Sequence, residues 1–342
     1  MEQKETVLIT GSNGEIGHGL IPTLYSLKKY EIVGLDISDI DGNLGPYIKD
    51  FFKGTVLDKN LLFSIFAKYK FSSIFHLAAI LSTQAEKEPR KAQIVNSGGT
   101  ANLLEIANTF AQKEKRVIKF IFPSTIAVYG LPDLEIKNKT NPINEESFLK
   151  PITIYGITKL YSENLGIYYS KYYQLLNNDK KLLYLDFRCL RFPGIISALT
   201  IPLGGTSDYA PEMIHSLVQG KGYESFVRPD TIIPFMVMPD AVKALIQISE
   251  TSKEKLRKSV YNVTAFSATA EKIAELVNKV FPDSAISYKP DIARQKIVDS
   301  WPARIDDSAA RKDWGWQPEY DIERAFSEYL IPEIQNKYND AK

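Results

Sequence analysis

Short apolar runs alternate with amphipathic stretches along the first two-thirds of the chain. Val7-Leu8-Ile9 is a continuous apolar run ending at Thr10-Gly11, and behind it Ile16, Leu20, Ile21 and Leu24 fall on one helical face. Glu31-Ile32-Val33-Gly34-Leu35-Asp36 reads as a second buried strand closed by an acid. The pattern then predicts a helix over 61–69, a strand over 73–77 and a helix over 100–111. A strand over 117–122 stopped by Pro123, a long aromatic-rich helix over 154–173 and a strand over 182–190 follow. Strands alternating with long helices imply βαβ units and a parallel sheet covered on both faces.

The rhythm breaks after Arg191. Residues 192–236 are punctuated by prolines and glycines, from Pro193-Gly194 through Gly204-Gly205 to Pro234, and predict loops and short elements. Regular structure returns with a helix starting at Pro239-Asp240, a strand over 260–263, and a helix capped by Thr269 with Glu271 in its first turn. The expected division is a nucleotide-type domain of 1–191 plus about 237–265, and a smaller C-terminal lobe of 192–236 with 266–342.

Composition narrows the chemistry. The 342 residues are 44% hydrophobic, enough for a large core. Lys+Arg 42 against Asp+Glu 41 leaves a net charge of +1, which gives no general attraction to nucleic acid or anionic lipid. No apolar run reaches the ~20 residues of a membrane span, and MEQKETVLIT lacks the stretch of a signal peptide. Cys189 alone excludes an internal disulfide, and His18, His76 and His215 lie far apart, without metal-ligand spacing. A cytoplasmic protein without a metal is expected, with neither nucleic acid nor membrane as partner.

The segment Gly11-Ser12-Asn13-Gly14-Glu15-Ile16-Gly17 follows a strand and opens a helix. Gly11 allows a tight turn, Gly14 lets backbone approach phosphates, and Gly17 permits close helix–strand packing, while the helix N-terminus offers N–H groups to a pyrophosphate. Asp36, ending the second strand, accepts ribose hydroxyls and repels a 2′-phosphate, which favours NAD over NADP. Asp58 fits either a carboxylate beside the adenine or a cap for the next helix. Leu77-Ala78-Ala79 supplies small residues where backbone passes close to a cofactor, and His76 reads as a packed structural histidine. The fold class is therefore α/β, a doubly wound parallel Rossmann sheet carrying a smaller C-terminal substrate lobe.

Tyr155 and Lys159 stand four apart on one predicted helix, hence on one face. A phenol of pKa about 10 is a poor base at neutral pH. A nearby ammonium and an oxidised nicotinamide ring both favour phenolate, and lowering the pKa by two to three units corresponds to roughly 3–4 kcal/mol. Ser124-Thr125, after a strand end, supplies hydroxyls to orient a reacting oxygen.

Glycine turn, Ser/Thr after a strand and Tyr-x-x-x-Lys, in this order, resemble the extended short-chain dehydrogenase/reductase superfamily, which holds nucleotide-sugar epimerases and dehydratases. Asp186-Phe187-Arg188-Cys189-Leu190-Arg191-Phe192-Pro193-Gly194-Ile195-Ile196-Ser197, Gly204-Gly205-Thr206-Ser207-Asp208-Tyr209-Ala210, Ser300-Trp301-Pro302 and Ala310-Arg311-Lys312-Asp313-Trp314-Gly315-Trp316 are similar to stretches of the short-chain-type L-threonine 3-dehydrogenases. Pro123-Ser124-Thr125-Ile126 and Thr153-Ile154-Tyr155-Gly156 extend the likeness.

The resemblance implies oxidation of L-threonine to 2-amino-3-ketobutyrate with hydride transfer to NAD. Tyr155 is then the general base, Lys159 its partner and the holder of the nicotinamide ribose, and Thr125 with Ser124 the orienting hydroxyls. It points to Ser82 and Thr206, with Thr125 and Tyr155, as substrate-facing groups. Expected cofactor contacts are Gly11, Asn13, Gly14, Ile16 and Gly17, then Asp36, Leu57 and Asp58, then Leu77, Ala78, Ala79 and Asn96, besides Tyr155 and Lys159. Arg191 is either an ion-pair partner or a carboxylate contact, and Trp301 either core or a cover over the site. A homodimer through the helices around 100–111 and 154–173 is expected, with Tyr161, Tyr168, Tyr169, Tyr172 and Tyr173 partly buried between subunits. The alternatives are a nucleotide-sugar epimerase or dehydratase that retains its NAD, and a non-catalytic NAD(H)-binding protein.

Overall fold

The computed structural model describes residues 4–140, 142–176, 183–202, 204–282 and 285–339. Six strands, β1 (Glu5–Thr10), β2 (Tyr30–Asp36), β3 (Asp50–Lys53), β4 (Phe71–His76), β5 (Ile118–Thr125) and β6 (Leu185–Phe192), precede the chain's change of character. Six more follow, β7 (Gly194–Ile196), β8 (Tyr223–Ser225), β9 (Ile232–Val237), β10 (Val260–Asn262), β11 (Phe266–Thr269) and β12 (Ile286–Tyr288). A seven-stranded sheet runs β10-β6-β5-β4-β1-β2-β3, with every neighbouring pair parallel. Of the strands expected from the pattern, β6 begins at Leu185, and residue 182 lies outside the described residues.

The continuous apolar runs reflect burial on both faces. In β1, Val7 and Ile9 join one core with Leu20, Ile21 and Leu24 of the helix Glu15–Ser26, while Leu8 joins the opposite core with Leu62 and Phe66 of the helix Lys59–Lys68. β6 divides the same way, Leu190 and Phe192 to one face and Phe187 and Cys189 to the other. Alternating strand residues thus serve two cores, the reason a parallel sheet reads as unbroken hydrophobicity. Burial pushes the Cys189 thiol well above its ordinary range, in keeping with a core side chain.

Strand order reverses between β1 and β4, the switch point outside whose carboxyl ends α/β sheets bind ligands. A second core lies against a three-stranded sheet, β11-β9-β7, where Met213 and Leu217 meet Phe235 and Ile273. Where the sequence pattern predicts short elements, the helix Tyr209–Val218 forms with Pro211 in its first turn, a position that needs no intrahelical N–H. Ala127, Tyr129 and Ile143 also enter this second core, whereas Trp314 and Trp316 pack on the main sheet's helices. No helix among the described residues is long and apolar enough to cross a membrane.

Candidate active site

The glycine turn follows β1 directly. Gly11 stands at φ +69°, and a Cβ there would lie 2.6 Å from the Ala78 nitrogen, so the turn and the backbone after β4 touch. Gly17 packs as tightly, its Cβ position only 2.1 Å from the Ser12 carbonyl oxygen. Gly14 is the N-cap of the helix Glu15–Ser26 and supplies no side-chain cap, which leaves first-turn N–H groups open to an anion. Asp36 Oδ2 accepts from the Asn13 N–H at 3.0 Å, and Oδ1 accepts from the Ser38 hydroxyl and N–H. The Asn13 side chain bridges on to Ser38 and to the Asp39 carbonyl. The turn, the acid at the end of β2 and the small residues after β4 therefore meet at the switch point, a cradle that fits a dinucleotide.

The remaining expected cofactor residues divide. Ile16 packs against the sheet's core, and Leu57 lies beside Gly98. Asp58 is exposed and caps the helix Lys59–Lys68 by accepting from the Leu61 N–H at 3.0 Å. Asn96, buried in a wide π-type turn, accepts from the Ile80 N–H at 2.7 Å and donates to the Ile80 carbonyl and to Thr158 Oγ1. It ties the loop after β4 to the helix that carries Tyr155. His76 sits between the hydroxyls of Thr10 (2.7 Å) and Thr100 (3.0 Å), and burial with the nearby Lys159 charge pushes its pKa down to about 3. It is a neutral, packed histidine.

Tyr155 and Lys159 lie on the helix Ile154–Ile167, capped by Thr153 through the Gly156 N–H at 3.1 Å. The helix is set close to the end of β5: a Cβ on Gly156 would lie 2.0 Å from the Ala127 carbonyl oxygen. Three consecutive residues of that strand end then meet the helix's neighbourhood. The Pro123 carbonyl accepts from Lys159 Nζ at 2.7 Å, Ser124 Oγ donates to Glu163 Oε1, and Thr125 Oγ1 accepts from the Ala127 N–H at 3.1 Å. Lys159 Nζ is 5.8 Å from the Tyr155 ring centroid and 4.5 Å from that of Phe122.

Electrostatically, burial dominates in the protein itself. It pulls Lys159 down to about 8, against the opposing influence of Cys189 and Glu163. It pushes the Tyr155 phenol up, opposite to the lowering expected from the spacing. Nearby cations favour phenolate, but desolvation penalises it, and in the protein alone desolvation wins. The Tyr155 hydroxyl makes no hydrogen bond among the described residues, so it is open to one from a substrate.

Beneath these groups lies a buried ion pair, whose acidic member, Glu163, was not expected. Arg191 donates to both oxygens of Glu163 at 2.9 and 2.6 Å, and also to the Tyr129 hydroxyl and the Glu145 carbonyl. Arg191 is thus an ion-pair partner. The signal for Glu163 was present: it stands four residues beyond Lys159, on the same helical face as Tyr155.

Ser82 and Thr206, far apart in sequence, meet: Thr206 Oγ1 lies 3.2 Å from Ser82 Oγ. Trp301 lies in the second core, 5% exposed. Arg228 is held by Asp299 at 2.9 and 3.0 Å and by Asp230. Among the described residues no cluster of three or more His, Cys, Asp or Glu is arranged to hold a metal ion.

The chain is 36% identical over 323 residues to the mitochondrial L-threonine 3-dehydrogenase of Bos taurus, covering 93% of this chain and 80% of that protein. The solved L-threonine dehydrogenase of Clostridium difficile superposes with a TM-score of 0.85 at 32% identity, over 98% of this chain and 99% of that one. A monomeric L-threonine 3-dehydrogenase from a metagenome does so with 0.83 at 34% identity, over 97% and 99%. The family model for NAD dependent epimerases/dehydratases matches residues 7–264. With its glycine cradle at the switch point and that match across most of its length, the chain belongs to the NAD dependent epimerase/dehydratase family.

Proposed function

We propose that this protein is an L-threonine 3-dehydrogenase, oxidising the 3-hydroxyl of L-threonine to give 2-amino-3-ketobutyrate, NADH and a proton. The observation that carries the reading is a half-buried Tyr155, its hydroxyl without a partner among the described residues, one helical turn from Lys159, whose Nζ is held by the Pro123 carbonyl beside Ser124 and Thr125. Close likeness to proteins named for this activity supports the substrate.

NAD, when bound, supplies the acceptor for the hydride leaving the substrate's Cβ. Gly11, Gly14 and Gly17 admit its pyrophosphate to the helix N-terminus, and Asp36 retains lone pairs for ribose hydroxyls. As phenolate, which the Lys159 ammonium and the positive charge of bound NAD would favour against the cost of burial, Tyr155 takes the proton from the 3-hydroxyl. Lys159 has three donors, one of which is given to the Pro123 carbonyl, leaving two for the nicotinamide ribose and for stabilising phenolate. Thr125 and Ser124 differ in role. The Ser124 proton is directed to Glu163, whereas Thr125 accepts with its oxygen and keeps its own proton for the reacting oxygen. Ser82 and Thr206 face the amino-acid end of the substrate.

The division into 1–191 with 237–265 and 192–236 with 266–342 belongs to this proposal, with residues 126–131 and 310–316 crossing between the cores. So does a homodimer through the helices Gly99–Glu114 and Ile154–Ile167. The test is NADH absorbance with NAD and a panel of threonine stereoisomers, serine, 3-hydroxybutyrate and UDP-sugars. Turnover confined largely to L-threonine is expected; turnover of a UDP-sugar instead, or of nothing, defeats the reading.

A further inference from the structure

The Thr206 hydroxyl does not reach Ser82 by local structure alone. Two residues earlier the chain turns at Gly204, φ +82°, and both Gly204 and Gly205 present their carbonyls to one side chain. Arg294, on the helix Ile292–Asp299, donates through Nη2 to the Gly204 carbonyl at 2.6 Å and to the Gly205 carbonyl at 3.2 Å. Its guanidinium carbon lies 3.7 Å from the centroid of the Phe226 ring, so the planar group is stacked while it donates. Thr83 Oγ1, next to Ser82, donates to the same Gly204 carbonyl at 2.8 Å. Asp208 closes the turn by accepting the Gly205 N–H at 2.5 Å. Thr206 then places its N–H 3.5 Å and its hydroxyl 3.2 Å from Ser82 Oγ.

We propose that Arg294 is a positioning residue for substrate binding: stacked on Phe226, it clamps the Gly204–Gly205 turn so that Thr206 and Ser82 form one hydroxyl site for the amino acid. This deepens the functional reading above and rests on its assignment of Ser82 and Thr206 to the substrate. A turn built on two glycines has many conformations to lose, and a site whose loop is ordered before binding avoids that loss when substrate arrives. The planar guanidinium suits the task because one rigid fork can stack on a ring and bridge two carbonyls; a lysine ammonium cannot do both.

The test compares Arg294→Met and Arg294→Lys with the wild-type full-length chain. Steady-state rates at saturating NAD should show KM for L-threonine raised on the order of 10-fold in both variants, as for loss of pre-organisation, with kcat changed much less. The Kd for NADH, read by fluorescence titration, and Tm should stay near wild type, while backbone deuterium exchange at 204–206 accelerates. A folded Arg294→Met protein with unchanged KM for L-threonine overturns the proposal. So does an Arg294→Lys protein indistinguishable from wild type, since charge alone would then suffice. A parallel loss of Tm, NADH binding and kcat assigns Arg294 to general stability and also overturns it. Wild-type protein inert toward L-threonine defeats the functional reading instead. In that event the exchange rates at 204–206 decide the clamp, unchanged rates in Arg294→Met refuting it.

Discussion

Tyr155 and Ser124 illustrate how much of a residue's chemistry depends on what its hydroxyl already touches. Ser124 is buried and committed to Glu163, whereas Tyr155 is half-buried with its oxygen unpaired among the described residues. Replacing Tyr155 with Phe removes one oxygen and leaves the ring's packing, so coenzyme affinity should lose no more than the one contact of that hydroxyl, while kcat for L-threonine falls at least ~10²-fold, the usual range for a lost general acid–base group. Steady-state kinetics beside an NADH titration check this, and near-wild-type turnover would reject the assigned base. Tyr155 and Lys159 were legible from spacing, because i,i+4 residues share a helical face whatever surrounds the helix. The direction of their pKa shifts was not, because burial is a property of the packed molecule.

A single helix, Ile154–Ile167, lines up Tyr155, Lys159 and Glu163 on successive turns, and the Gly156 contact with the Ala127 carbonyl sets its distance from β5. Glu163 and Arg191 are 1% and 3% exposed, so neither charge is compensated by water. Removing one partner from such a pair costs about 3–5 kcal/mol, whereas replacing both with apolar groups of similar volume is often neutral or better. Glu163→Gln should therefore lower Tm by several degrees, and Glu163→Leu combined with Arg191→Met should recover much of the loss. Calorimetry of the two variants measures this, and a Glu163→Gln protein as stable as wild type would show that the buried Arg191 charge does not depend on the Glu163 carboxylate. The helix itself was evident in the sequence. Its continuation was expected to residue 173, but the α-helical part ends at Ile167 and widens into a π-type turn over Tyr168–Tyr172.

Across the whole molecule, one side of the same helix remains apolar and open. Ile157 and Tyr161 are 48% and 49% exposed, and Tyr168 and Tyr172 continue the patch. This is the surface that the proposed homodimer would bury. Tyr161→Lys, a charge placed on that face, should shift sedimentation from dimer toward monomer at micromolar concentration; a wild-type chain that sediments as a monomer refutes the dimer outright.

Neighbours in the chain already carry a large part of this protein. That includes the alternation of strands and helices, the glycine turn with its acid, the Tyr–Lys face, and the punctuated region after Arg191. These follow from backbone sterics and the periods of helix and strand, which act over a few residues. Tertiary structure alone decided the pairings across long separations: Ser82 with Thr206, Ser124 with Glu163, Asn96 with Ile80 and Thr158, and Arg294 with Gly204. It also decided that the Arg191 charge is neutralised by Glu163. A hydroxyl, amide or guanidinium can pair with many partners, and only the packed fold brings one of them within hydrogen-bond distance.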